Sequence, residues 1–137
     1  MKVLIVGSGG REHALAWKTS QSGMNVTLYA APGNPGIAEF AECVPIRADD
    51  VTGIAKYAVK EGFDLVAVGP EVPLCMGIAD LLGEAGVPVF GPIAKAAAIE
   101  GSKAFSKQLM RKYGIPTAAF ESFRDFDAAC SFARSFN

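Results

Sequence analysis

Lys2-Val3-Leu4-Ile5-Val6-Gly7-Ser8-Gly9-Gly10-Arg11-Glu12-His13-Ala14-Leu15-Ala16-Trp17-Lys18 carries an apolar run into a glycine cluster and then into a helix-forming segment. Residues 3–6 are mostly β-branched and suit a strand buried on both faces. The run stops at Gly7, and the helical pattern resumes from about residue 12 to 19. Strand, tight turn and helix in that order aim free backbone N–H groups and a positive helix end at one point. Such a point suits an anion, above all a phosphate.

The same alternation continues down the chain. Residues 26–30, 63–68 and 87–90 are further short apolar runs bounded by glycine or proline, and residues 43–46 form a weaker edge strand limited by Pro45. Helical stretches lie between them, from about 52 to 61 with Gly62 as its stop, and from 74 to 84 before Gly86. Strands alternating with helices predict right-handed crossovers and an α/β fold, a Rossmann-like doubly wound parallel sheet. If the strand order is 3-2-1-4-5, the first and fourth strands are neighbours where the order reverses.

The pattern changes after Phe90. Gly91-Pro92 ends the last strand, and residues 93–100 form a short alanine-rich helix. Ser102 is placed to cap a second helix over 103–113, closed by Gly114. Residues 118–123 are expected to be extended, and Asp125 to cap a last helix running to Asn137. Phe120, Phe123, Phe126, Phe132 and Phe136 load this tail with aromatics that have little to bury against. The expected organisation is therefore a substrate-binding domain over residues 1–101 and the opening of an incomplete domain over 102–137. That tail should be mobile, swapped or paired with another copy, a route to self-association.

Composition narrows the classes of function. With 137 residues, 50% of them hydrophobic and 20% charged, the chain has enough apolar content for a globular core. Thirteen basic and fourteen acidic residues give a net charge of -1 without any basic tract, which speaks against a nucleic-acid partner. Cys43, Cys75 and Cys130 are scattered and have only His13 to join them, so no metal site is expected. The first apolar run is too short for a signal peptide or a membrane span. A soluble, cytoplasmic protein with reduced thiols follows as the expectation.

Two tests separate the loop from a dinucleotide cradle. The G-x-G-x-x-G fingerprint puts a third glycine at position 12, and it requires an acid at the end of the second strand. Position 12 is Glu12, and the second strand ends Tyr29-Ala30-Ala31-Pro32. NAD and FAD are thereby disfavoured. The loop offers Arg11 instead, a fork donor suited to phosphate. Gly69-Pro70-Glu71-Val72-Pro73 follows the fourth strand, so Glu71 is expected to face Gly9, Gly10, Arg11 and Glu12 across one crevice. Its carboxylate suits an amine or ribose hydroxyls. Gly101-Ser102-Lys103 could serve a phosphate, although no P-loop spacing is present. Asn34-Pro35-Gly36 is a turn, His13 a structural imidazole, and Trp17 and Tyr57 core or near-core residues.

These stretches are collinear with one family. Gly-Gly-Arg-Glu-His-Ala at 9–14, Ala-Pro-Gly-Asn-Pro-Gly at 31–36, Gly-Pro-Glu-Val-Pro-Leu at 69–74 and Glu-Gly-Ser-Lys-Ala-Phe at 100–105 resemble the glycinamide ribonucleotide synthetases, phosphoribosylamine–glycine ligases of the ATP-grasp superfamily. Ile93 departs from the Ser or Thr more usual there. The resemblance implies that ATP phosphorylates glycine and that 5-phosphoribosylamine attacks the acyl phosphate. It implies substrate-binding roles for Gly9, Gly10, Arg11, Glu12, Gly69, Pro70 and Glu71, and an ATP-phosphate contact for Lys103. It implies ATP and magnesium or manganese for the intact enzyme, with the metal ligands and the catalytic residues outside these 137 positions. A fragment of that kind is expected to be inactive alone. From the residues themselves, a standalone sugar-phosphate or nucleotide-binding module stays open.

Overall fold

The structure is a computed structural model and describes residues 1–135. It divides into two compact units, Met1–Gly101 and a second from Ser102 onward. Phe136 and the expected continuation of the last helix to Asn137 lie outside the described residues.

The first unit is an α/β sandwich around five parallel strands. These are β1 (Lys2–Gly7), β2 (Thr27–Pro32), β3 (Glu42–Cys43), β4 (Leu65–Val68) and β5 (Val89–Phe90). Their order is β3-β2-β1-β4-β5, and every pairing is parallel. This is the order under which β1 and β4 are neighbours, with the reversal between them. Register aligns Gly7 with Pro32 and Val6 with Val68, so the ends of β1, β2 and β4 finish level.

Alternation along β1 explains why both faces must be covered. Leu4 and Val6 point into one cluster with Ile54, Val66, Leu74, Ile78 and Leu82, while Val3 and Ile5 join Ala16, Leu28 and Ile37 on the other side. The larger cluster is closed by helices α2 (Val51–Glu61), α3 (Glu71–Cys75), α4 (Ile78–Glu84) and α5 (Ala94–Gly101). Helix α1 (Gly10–Ser20) and a 3-10 turn at Ile37–Glu39 cover the smaller one. Local signals set these boundaries. The Asp50 carboxylate accepts the Gly53 N–H at 2.9 Å to start α2, and Gly62 ends it in the left-handed region.

Two expectations are corrected. The single helix over 74–84 is two, because Gly77 stands at φ +87 and breaks it; the first of them begins at Glu71, which is a helical residue rather than a turn. Trp17 is not a core residue: it is 48% exposed on α1, whereas Tyr57 does pack against the larger cluster.

The second unit contains α6 (Lys103–Tyr113) and α7 (Phe126–Arg134). Ser102 and Asp125 cap them as anticipated, accepting the N–H groups of Phe105 and Ala128. Neither helix has a buried residue. Phe120 lies under the Arg111 guanidinium at 4.2 Å, Phe123 stacks obliquely on Phe132, and Phe126 is 79% exposed. No helix among the described residues is long and apolar enough to cross a membrane.

Candidate functional site

The glycine loop, residues 7–10, leaves β1 at the reversal of strand order, where open parallel sheets bind their ligands. Gly7 turns at φ +129, and Gly9 is the N-cap of α1. The first N–H groups of α1 have no acceptor within the helix, so they are presented at this point with the positive end of the helix.

Glu12 occupies an unexpected place. It is 3% exposed, buried beneath the loop. One carboxylate oxygen accepts the Gly9 N–H at 2.6 Å, and the other is buried without a hydrogen-bond partner. Three glycines make room for this side chain. A Cβ on Gly7 would come 2.6 Å from the Glu12 Cγ, one on Gly9 would come 2.9 Å from its Oε2, and one on Gly69 would strike its Oε1. The absent third glycine of the dinucleotide fingerprint is thus a brace between α1 and the ends of β1 and β4. The sequence pattern identified Glu12 as a departure but contained no signal that it points inward.

Arg11 and Glu71 do meet. The guanidinium Nη2 lies 3.6 Å from the Glu71 carboxylate, across the ends of β1 and β4. Arg11 is also 4.0 Å from Glu12 and 3.9 Å from Glu100, at the end of α5. One cation therefore faces three carboxylates, and its side chain remains 66% exposed. The exposed pairs with Glu71 and Glu100 are worth about 0–1 kcal/mol each. Their consequence is electrostatic: the Arg11 side of the loop is locally acidic. Glu100 escaped sequence reasoning because α5 brings it back from far along the chain.

Hollows border the loop on more than one side. On the α1 side, Arg11, Leu15, Gly69 and Phe90 border one of about 440 Å³. On the α3 side, Ser8, Pro32, Arg47, Asp49, Pro70 and Pro73 border another of about 330 Å³. Arg47 was not anticipated. It sits in the loop before α2 and grips both oxygens of Asp49, with Nε at 2.8 Å and Nη2 at 2.6 Å. The bond to Asp49 raises the Arg47 pKa, and the same bond holds the Asp49 carboxyl below the usual carboxylate range. An i, i+2 Arg-x-Asp in a loop is the only sequence trace of it.

The remaining candidates have structural surroundings. Asn34 donates to the Ser8 carbonyl at 2.8 Å and accepts the Ile37 N–H at 2.9 Å, tying the β2 exit to the glycine loop. His13 stacks on Phe40 at 5.9 Å and lies against Gly36, where a Cβ would come 2.6 Å from its ring. Pro70 precedes α3 as its N-cap. Lys103 is the exposed first residue of α6, in the second unit. Among the described residues, no group of three His, Cys, Asp or Glu is arranged to hold a metal ion.

Fold and loop together define a Rossmann-like α/β domain, with a buried glutamate where a dinucleotide cradle would have glycine. Residues 1–100 match the family model described as phosphoribosylglycinamide synthetase, N domain, and the chain belongs to that family. It is 51% identical over 134 residues to a phosphoribosylamine–glycine ligase of Rhizobium meliloti, covering 98% of this chain and 32% of that protein. A crystal structure of the phosphoribosylamine–glycine ligase of Thermotoga maritima is similar over the whole chain and 31% of its own length, at a TM-score of 0.70 and 29% identity. The N5-carboxyaminoimidazole ribonucleotide synthetase of Thermus thermophilus shares the fold over 98% of this chain and 36% of its own, at a TM-score of 0.69 and 21% identity. The chain spans about a third of the length of the curated relatives it matches.

Proposed function

We propose that these residues are the amino-terminal, substrate-binding part of an ATP-dependent phosphoribosylamine–glycine ligase of purine synthesis. In that reaction ATP transfers its γ-phosphoryl group to the glycine carboxylate. The amine of 5-phosphoribosylamine then attacks the glycyl carbonyl, and phosphate leaves. The observation that carries the reading is the meeting of Arg11 and Glu71 at 3.6 Å over the reversal of strand order. Around it, Gly9 and Gly10 present the helix start to the sugar phosphate, Glu12 keeps their loop in one shape, and Gly69, Pro70 and Glu71 form the facing wall for the ribose and its amine. Orientation of the amine is this chain's contribution to the rate.

From Ser102 onward the chain opens the ATP-grasp domain in this reading, and Lys103 reaches an ATP phosphate. Magnesium in such a ligase offsets the charge of the phosphoryl group in transfer. The exposed Phe105 and Phe126 of that unit are covered by the rest of its domain or by a second copy of the chain.

Titration of the 15N-labelled chain with ribose 5-phosphate tests this. The amide signals of Gly9, Gly10, Gly69 and Glu71 are expected to move together and saturably. Shifts confined to any other surface would overturn the assignment of the crevice.

A further inference from the structure

Resting on the crevice reading above, we infer that the substrate's phosphate is held on the Ser8 side of the glycine loop by Arg47, and that the Arg11 side receives the amino sugar. Charge divides the two sides. Within 4.0 Å of the Arg11 guanidinium stand the carboxylates of Glu12, Glu71 and Glu100. A phosphate dianion placed there meets one positive charge and three negative ones. An ammonium or amine placed there meets the opposite, and the ribose hydroxyls find acceptors in Glu71 and Glu100. The acidic surroundings that disfavour the phosphate are the ones an amine requires.

The hollow of about 330 Å³ on the other side has a different balance. Arg47 and Asp49 stand there as one positive and one negative charge, with Ser8, two residues before the start of α1. Asp49 engages Nε and one hydrogen of Nη2, and a guanidinium carries five N–H donors, so donors remain on Nη1 and Nη2. The two bonds to Asp49 also fix the fork in one orientation, which lowers the ordering cost when a phosphate that accepts several hydrogen bonds arrives. Pro32, Pro70 and Pro73 form stiff walls around it. Ser8 itself is held in place by the Asn34 bond to its carbonyl. Arg47 is thus a phosphate-binding residue and Asp49 the residue that positions it.

Both hollows open onto one loop. Ser8 borders the Arg47 hollow, and Arg11, three residues on, borders the other. A molecule lying across residues 8–11 presents a phosphate to one hollow and an amine to the other.

The test is calorimetric titration of the chain with ribose 5-phosphate and with ribose, for the wild type, Arg47→Gln, Arg47→Lys and Arg11→Gln. Arg47 is 82% exposed, so its replacement leaves the fold intact, as circular dichroism will show. The wild type is expected to prefer ribose 5-phosphate over ribose by roughly tenfold or more. Arg47→Gln should lose most of that preference, Arg47→Lys should keep part of it, and Arg11→Gln should keep it whole. A preference unchanged in Arg47→Gln and abolished in Arg11→Gln overturns the inference and leaves the crevice reading standing. Absence of ribose 5-phosphate binding by the wild type overturns both.

Discussion

Gly69→Ala is a one-methyl change whose effect rests on a single neighbour. The backbone of Gly69 is not left-handed, and its N–H donates to the Val6 carbonyl at 3.1 Å, so alanine fits the main chain. The added Cβ would strike Glu12 Oε1 and come 2.6 Å from its Cγ and Cδ. Glu12 is a flexible side chain, but it is enclosed by Gly7 and Gly9 and tied to the Gly9 N–H at 2.6 Å. Forcing a methyl into packed space costs about 1–3 kcal/mol. Swinging the carboxylate away instead forfeits a charge-assisted bond worth about 1.5–3 kcal/mol. Either route predicts a loss of about 2–3 kcal/mol for the single variant. With Glu12→Ala already made, the obstacle is gone and the same substitution restricts only the unfolded chain. It should then stabilise by about 0.4–1 kcal/mol. Urea unfolding of the four members of the cycle, followed by far-UV circular dichroism, gives both numbers. An equal cost of Gly69→Ala in the two backgrounds would refute the account of Glu12 as the brace.

Two further variants probe neighbouring features. Asn34→Ala removes a donor to Ser8 and an acceptor for Ile37, and should lower the unfolding free energy by about 1–3 kcal/mol in urea; Asn34→Asp, which keeps the acceptor, should lose less. Tyr57 has its pKa raised, first by burial and then by the charges of Glu61 and Glu42. The folded state therefore favours the neutral phenol, and the stability this confers is full below the ordinary tyrosine value of about 10 and lost as pH rises through the folded value. Tyr57→Phe should flatten the fall of urea midpoints between about pH 9 and 11; an unchanged slope would contradict the burial argument.

Much of the first unit is legible in the sequence because its signals are local. Residues 3–6 and 63–68 are apolar without interruption, as strands covered on two faces must be, and the glycines after them mark the turns. The handedness of the crossovers follows from the alternation, whereas the reversal between β1 and β4 depends on which face each helix covers. What stayed hidden depends on direction or on distance. Nothing near Gly77 distinguishes a helix break from a tolerated helix glycine. The apolar ring of Trp17 suggests burial, yet it projects from the outer face of α1. For Glu12 the residue type argues for the surface, and only the missing Cβ atoms of Gly7, Gly9 and Gly69 explain its burial. Glu71 is legible as the partner facing Arg11, but Glu100 is not, since α5 brings it to Arg11 from far along the chain.

The brace under the loop also constrains what this domain could become. In a dinucleotide-binding relative of the same topology, the ground beneath the first turn is empty so that a pyrophosphate can sit against bare backbone. Here a carboxylate already fills that ground, with one oxygen spent on Gly9 and the other enclosed. Exchanging Glu12 for glycine would not open a cradle; it would leave a void that Gly7, Gly9 and Gly69 cannot close. A change of ligand class would require simultaneous repacking of three chain segments. For a domain that shares its architecture with many nucleotide binders, that interlock is a barrier to drift in specificity.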